Sequence, residues 1–141
     1  NDVLLGVKLL TNSDLDKENF FIKGYRSDKI KNSWSFFDIF LTLSMTIYNT
    51  ILFRTLLTDI NAQPVIFPKK FFLSVNYFPN DMMFDVWIYV MARRKGLNIK
   101  RFNVVFNRKA RLYGSGNNDS IIKNIKNIFI NLLGSFKLLT K

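Results

Sequence analysis

The stretch that decides the fold is residues 80–106, NDMMFDVWIYVMARRKGLNIKRFNVVF. Its first half predicts a helix that is capped by Asn80 or Asp81 and closed by Gly96, with three basic residues in its last turn. Residues 98–106 then alternate in the manner of a strand. A helix that ends at glycine and is followed closely by a strand is typical of an α/β unit. We therefore expect an α/β fold, with a mixed sheet and flanking helices.

The segments on either side predict further elements. Residues 2–8 have the pattern of a buried strand, and the polar residues 11–29 that of an exposed loop. Residues 31–57 are apolar nearly all round, which predicts one long helix or two broken ones. The remaining predictions are a short strand over residues 63–67, a short helix from Pro68, a basic loop over residues 107–118 and a helix from Asp119.

Composition limits the chemistry that the chain can perform. Its 141 residues are 48% hydrophobic, enough for one domain with a real core, and disorder is excluded. The absence of cysteine and histidine excludes disulfides, thiolate metal sites and histidine-based catalysis. Acid–base chemistry would have to use a carboxylate, a tyrosine or a lysine. The net charge of +11 favours an anionic partner: a nucleic acid, a phosphorylated substrate or a membrane surface.

The hexapeptide DINAQP, residues 59–64, is a compact polar stretch between two apolar segments. A carboxylate in such a position is costly unless it is paired or has a chemical role. Asp59 would lie on a loop at the rim of the sheet, where sites of α/β proteins gather, and is our candidate for a chemical carboxylate. A turn or capping role for Asp59 is the alternative.

Basic residues provide a candidate phosphate site. Arg111 follows the predicted strand in a loop that also contains Gly114 and Ser115, and guanidinium, glycine amides and a hydroxyl together bind phosphate oxygens well. Arg26 could supply a second cation from the preceding loop. A solvated basic loop is the alternative. Asp85 lies within an apolar helical segment, where a structural hydrogen bond or ion pair is the favoured role.

The last segment predicts an amphipathic helix with flanking lysines. It is either a packing helix of the domain or a dimer, or an interfacial helix that lies on anionic lipid. The longest uncharged run, residues 39–53, is short for a membrane span and contains several hydroxyl and amide side chains. We therefore expect that run to be a buried or interfacial helix.

Taken together, these residues resemble family 2 glycosyltransferases, and among them the dolichyl-phosphate or polyprenyl-phosphate sugar transferases and related bacterial cell-surface enzymes. The similarity covers most of residues 2–118. Its most specific part is DINAQP followed by the R-x-x-G of residues 111–114. The other matching segments are Asp2-Val3 with Gly6-Val7-Lys8, Gly24-Tyr25-Arg26, Phe84-Asp85, Gly96-Leu97-Asn98-Ile99 and Val104-Val105-Phe106.

The resemblance implies a GT-A fold and inverting transfer of a sugar from a nucleotide-sugar donor, with Mg or Mn held by a DxD motif. Only the later half of that domain matches. Residues 1–118 would be its acceptor-side half, and residues 119–141 a basic, membrane-associated helix. The donor site and metal ligands would precede Asn1, so the chain alone would be inactive. The chain's abrupt start has two interpretations, a processed terminus or the C-terminal part of a larger domain.

The resemblance also implies roles for individual residues. Asp59 would be a general base or would orient the acceptor, while Arg26 and Arg111 would contact phosphates of the donor or of a lipid acceptor. The acceptor would be a lipid phosphate or cell-surface glycan at the cytoplasmic face of the cell membrane. Gly116 stands where the family pattern R-x-x-G-x-S has its final serine, and Ser115 is adjacent. The remaining implied substrate or phosphate contacts are Asn61, Gln63, Gly114 and Ser115.

Two other classes of function fit parts of the sequence. Phe102, Phe106 and Tyr113, together with the positive charge, fit a module that stacks on single-stranded nucleic acid. The core-like periodicity of the apolar residues and the even spread of basic residues argue against it. The other class is a non-catalytic scaffold at a membrane surface.

Overall fold

The protein has an α/β fold, seen in a computed structural model that describes residues 2–12, 18–26, 36–104 and 121–141. The expected combination of a small mixed sheet with flanking helices is confirmed. In chain order, the elements are α1 (Asp2–Asn12), β1 (Phe20–Tyr25), α2 (Phe36–Phe53), β2 (Val65–Ile66), α3 (Lys69–Leu73), α4 (Phe84–Arg94), β3 (Asn98–Asn103) and α5 (Ile121–Leu138).

The sheet has three strands in the order β2-β1-β3, so β1 is central. β1 pairs antiparallel with β2, where Ile22 lies opposite Ile66. It pairs in parallel with β3 along its whole length, from Phe20 opposite Asn98 to Tyr25 opposite Asn103. A parallel pair needs a crossover connection, and here α2, β2, α3 and α4 all lie between the two strands in sequence.

The alternating side chains of β1 enter two separate apolar clusters. On one face, Phe21 stacks on Tyr89 of α4, with ring centroids 5.8 Å apart, and belongs to the larger cluster. On the other face, Phe20 and Ile22 join Phe102 and Val104 in a smaller cluster, against which Leu9 and Leu10 of α1 pack. Side chains of successive strand residues point to opposite faces, so a strand that is covered on both faces contributes side chains to both clusters.

Two of the predicted elements are wrong. Residues 2–8 form the first part of helix α1 and not a strand, because a short apolar run does not by itself distinguish helix from strand. Tertiary packing supports the helix: a Cβ at Gly6 would lie 2.8 Å from the Ile66 side chain, so α1 lies close to the sheet. The second error is the exposed loop over residues 11–29, which contains the central strand β1.

The other elements agree with the sequence. Helix α4 starts at Phe84 with Met83 as its N-cap and no side-chain cap, so the predicted cap at Asn80 or Asp81 is wrong. The Asp81 carboxylate instead accepts a hydrogen bond from the Met83 amide at 2.9 Å, in the turn before the helix. Gly96 follows the helix, as predicted, with a φ of 70°. The predicted long helix is α2, and the predicted short strand is β2. The short helix α3 begins after Pro68, and the last helix is α5. β3 ends at Asn103; residues 105–106 of the predicted strand, and the basic loop over residues 107–118, lie outside the described residues.

None of the helices among the described residues is long and apolar enough to cross a membrane.

Candidate functional site

The hexapeptide forms a tight loop between α2 and β2, beside the second half of β1. Asp59 has a φ of 46°, a left-handed conformation that is uncommon for residues other than glycine but is tolerated by aspartate. The Ala62 amide donates a hydrogen bond to the Asp59 carbonyl oxygen at 3.1 Å, which closes the turn. The peptide between Gln63 and Pro64 is cis.

The centre of the site is an ion pair between Asp59 and Arg26, the residue that directly follows β1. The Arg26 Nε lies 3.0 Å from Asp59 Oδ1 and 3.1 Å from Oδ2, and Nη2 also donates to Oδ1. The Arg26 backbone amide donates to Oδ2 at 2.8 Å. Asp59 is buried and the Arg26 side chain is largely so, which strengthens charge-assisted hydrogen bonds of this kind.

A buried lysine holds the same loop from within the sheet. Lys23 of β1 donates from Nζ to the carbonyl oxygens of Ile60 at 2.6 Å and Ala62 at 2.8 Å. Burial lowers the pKa of Lys23 to about 8, against the opposing effect of the Asp85 and Asp59 carboxylates. A neutral amine keeps two N–H donors, so both carbonyl oxygens can be satisfied in either protonation state.

Gly24 allows the loop to approach the strand closely. Its amide donates to the Pro64 carbonyl oxygen at 3.0 Å. A Cβ at Gly24 would lie only 2.4 Å from the Gln63 carbonyl oxygen, a backbone atom that cannot move aside on its own. A residue with any side chain here would therefore displace the loop that contains Asp59.

Arg101 of β3 holds the start of the loop. Its Nη2 donates to the Thr58 carbonyl oxygen at 3.0 Å and also to the hydroxyl of Tyr89. The guanidinium lies over two rings, 5.8 Å from the centroid of Tyr25 and 5.7 Å from that of Tyr89. Lys23 of β1 and Arg101 of β3 thus hold the backbone on the two sides of Asp59.

The structure brings some of the predicted site residues together. Arg26 and Asp59 are in direct contact, as described above. Gln63 donates from Nε2 to Asp85 Oδ1 at 2.9 Å, so the loop also contacts the first turn of α4. Asn61 is exposed at the loop surface. Arg111, Gly114 and Ser115 lie outside the described residues.

Sequence reasoning missed Lys23, Gly24 and Arg101. The first two belong to FFIKGY, whose apolar and aromatic residues favour a strand, but the lysine within it and the polar residues around it masked that signal. Arg101 was placed correctly on a strand. Nothing in its local sequence indicates which backbone oxygen it would contact, because Thr58 is more than forty residues away.

The site lies at the carboxyl ends of the two parallel strands. Arg26 follows β1 there, and Val104, which follows β3, donates from its amide to the Tyr25 carbonyl oxygen at 2.9 Å. Ligands of open α/β sheets bind preferentially at this edge. The chain that leaves β3 at this edge continues into residues 105–120, which include Arg111.

Among the described residues, no group of three or more carboxylates could hold a metal ion.

Comparisons with protein-family models, with curated proteins and with solved structures find no match. The arrangement of Arg26, Asp59 and the loop around them is therefore the basis for an assignment.

Proposed function

We propose that this chain is the acceptor-side part of a GT-A glycosyltransferase domain of family 2. It would transfer a sugar from a nucleotide-sugar to a lipid-phosphate or cell-surface glycan acceptor at the cytoplasmic face of the cell membrane. The observation that supports the proposal is the Arg26–Asp59 pair at the carboxyl edge of the parallel strands. A guanidinium fixed in orientation at this edge is suited to a phosphate oxygen.

In this proposal Asp59 acts through Arg26. Both of its carboxylate oxygens already accept hydrogen bonds from Arg26, so a role in orienting the guanidinium fits the geometry better than a role as proton acceptor. Arg26 would contact a phosphate of the donor or of a lipid acceptor. Asn61 and Gln63 belong to the same loop as Asp59 and would contact the substrate or its phosphate. Arg111, Gly114 and Ser115 would contribute further phosphate contacts.

The donor half of the active site would come from another part of the protein. The Mg or Mn of such enzymes would be held there as well. The residues of this chain would bind and orient a phosphate of the donor or of a lipid acceptor.

The nucleic-acid alternative loses one of its stacking residues. Phe102 is buried in the smaller cluster, against Phe20 and Ile22, and cannot present its ring to a base. Phe106 and Tyr113 lie outside the described residues.

The test is sugar transfer to polyprenyl phosphate by the full-length protein, with Arg26→Lys and Asp59→Asn variants. Arg26→Lys keeps the positive charge but loses the planar fork, and we expect kcat/KM to fall by about 10- to 100-fold. Asp59→Asn leaves Arg26 poorly oriented, and a similar loss is expected. The control is Glu18→Gln, which removes an exposed ion pair with Lys70 and should leave transfer unchanged.

Unchanged transfer in a folded Arg26→Lys protein would refute the phosphate-binding role of Arg26. If Asp59→Asn also left transfer unchanged, the non-catalytic scaffold would be the better description.

A further inference from the structure

Helix α2 has one largely exposed side, and that side consists of large apolar side chains. Phe36 is 88% exposed, Phe40 64% and Ile51 71%, and Leu43 and Ile47 are more than half exposed. These positions recur every three or four residues and therefore lie on one side of the helix. We call this surface the α2 face, made of Phe36, Phe40, Leu43, Ile47 and Ile51.

The opposite side of α2 packs on the rest of the fold, so the α2 face points away from it. Asn49 and Phe53 are buried, and Asn49 Oδ1 accepts a hydrogen bond from the Ser135 hydroxyl of α5 at 2.7 Å. The Tyr48 hydroxyl donates to the Leu132 carbonyl oxygen at 3.1 Å. A helix at a water-facing surface normally has charged and polar residues pointing outward. An extended apolar outward side instead marks a surface that meets a partner.

The positions of the α2 face are spaced symmetrically about a point between Leu43 and the next residue. Phe36 and Ile51 are equally distant from that point along the helix. The same holds for Phe40 and Ile47. When two copies of α2 pack antiparallel about a two-fold axis through this point, each phenylalanine lies opposite an isoleucine of the partner subunit. A large ring then meets a smaller branched side chain at each step, and Leu43 adjoins the axis.

The charge of α2 also favours a second copy as the partner. Residues 36–53 contain no lysine or arginine, and Asp38 is their one charged residue. The net charge of +11 is therefore carried elsewhere in the chain, and its repulsion between two copies is screened by salt. The exposed apolar residues of α5 differ in this respect, because Lys126 and Lys137 are exposed on the same helix. An anionic partner would find no cation on the α2 face.

The area of the α2 face is sufficient for a dimer interface. The exposed fractions of its side chains correspond to apolar surface on the order of 600 Å² per chain. Pairing of two copies would bury roughly 1,200 Å² in total, at the lower end of the range for specific protein–protein interfaces. Phe37, which is 47% exposed beside the face, would add to this area.

We propose that two copies of this chain associate through the α2 face, with the two α2 helices antiparallel and the two-fold axis beside Leu43. The same surface is used by both copies, so the interface is closed and assembly stops at the dimer. Such a dimer goes beyond the proposed transfer reaction and does not depend on it. Each copy keeps its own Arg26–Asp59 pair, because both residues lie outside α2.

Sedimentation velocity of the chain over a range of concentrations tests the association. We expect a monomer–dimer equilibrium that shifts towards the dimer as salt rises, because salt screens the repulsion between copies. The double substitution Phe40→Gln, Ile47→Gln should raise the Kd of the dimer by about 100-fold or more. The urea midpoint of the dilute variant should match that of the dilute unmodified chain, because both side chains are exposed in the monomer. Leu133→Gln, on α5 and 61% exposed, is the matched control and should leave the Kd unchanged.

Disulfide cross-linking tests the antiparallel arrangement. The chain has no cysteine, so single introduced cysteines report the geometry without background. Leu43→Cys should form a disulfide-linked dimer on mild oxidation, because its two copies adjoin the axis. Ile51→Cys alone should not, because its two copies would lie roughly 22 Å apart along the helices. A mixture of Phe36→Cys and Ile51→Cys should form the mixed disulfide.

A chain that stays monomeric at every concentration would overturn the inference. So would a dimer that Leu133→Gln abolishes and the double variant does not, because the interface would then lie on α5. Binding of a monomeric chain to phosphatidylcholine–phosphatidylglycerol vesicles, lost in the double variant, would also overturn it, because the partner would then be lipid. A disulfide formed by Ile51→Cys alone as readily as by Leu43→Cys would overturn the antiparallel arrangement.

Discussion

At the scale of single residues, Lys23 affects both the stability of the fold and the position of the loop that contains Asp59. It occupies the middle of the central strand, where a charged group is costly, yet it donates to two carbonyl oxygens of the loop that presents Asp59. Its lowered pKa, about 8, means that the folded protein releases this proton more readily than the unfolded chain does.

The stability of the fold therefore depends on pH through Lys23. Between pH 8 and pH 10.5 the unfolded chain still binds the Lys23 proton while the folded chain has released it, so stability from this group rises with pH. Across this pH range, the free energy of unfolding contributed by Lys23 rises by up to about 3 kcal/mol. Urea unfolding gives the free energies of unfolding of the unmodified chain and of Lys23→Met at about pH 7 and about pH 10. The difference between the two free energies should change by this amount between the two pH values.

A methionine side chain fills a similar volume and does not titrate. Lys23→Met therefore removes the pH-dependent contribution of this residue to the free energy of unfolding. A difference in unfolding free energy that stays constant between the two pH values would show that Lys23 has an ordinary pKa in the folded protein.

A second residue-scale prediction concerns Gly24. Gly24→Ala introduces a Cβ against the Gln63 carbonyl oxygen and should push the loop away from β1. We expect destabilisation of about 1–3 kcal/mol, together with loss of transfer in the full-length protein, because Asp59 moves with the loop. Gly96→Ala is the matched control: nothing lies near that position, but its φ of 70° gives a cost in stability without displacing the loop.

At the scale of elements, the junction of α2 and α5 depends on a buried polar pair. The Asn49 side-chain amide donates to the Met45 carbonyl oxygen at 2.8 Å, and its Oδ1 accepts a hydrogen bond from the Ser135 hydroxyl. Asn49 and Ser135 thus satisfy each other's hydrogen-bonding groups within an otherwise apolar region. Removing one partner leaves a buried polar atom unsatisfied, whereas removing both does not.

A double-mutant cycle tests this junction. Ser135→Ala should cost about 1–3 kcal/mol in the unmodified chain and clearly less when Asn49→Leu is already present. Unfolding by urea gives the four free energies. Additive costs would indicate that the hydrogen bond does not couple the two helices.

Predictability from sequence also varied by element. The α4–β3 unit was predicted because its signals are local: Asp81 before the helix, basic residues in the last turn and Gly96 after it. Strand β1 was missed because its support is distant, with β3 and the hexapeptide loop far along the chain. For the same reason Arg26 and Asp59 could each be chosen as candidates, but their pairing could not be predicted.

At the scale of the whole molecule, the two apolar clusters are unequal. The larger one lies between the sheet and several helices, while on the smaller one α1 contributes Leu9 and Leu10 and leaves Val3, Leu4, Leu5 and Val7 exposed. We expect β1 amides to exchange hydrogen slowest and α1 amides among the fastest, because α1 packs on little buried apolar area. Native-state exchange measures both; equal protection of α1 and β1 would contradict this.

The position of β1 also has a consequence for how the chain acquires its structure. β1 comes early, but its full-length partner β3 appears only after α2, β2, α3 and α4 have been made. This gives the sheet a high contact order, and the closure of so long a loop slows folding. During synthesis Phe20, Phe21 and Ile22 would remain uncovered until β3 has left the ribosome, and this is the interval in which a chaperone would have most to protect.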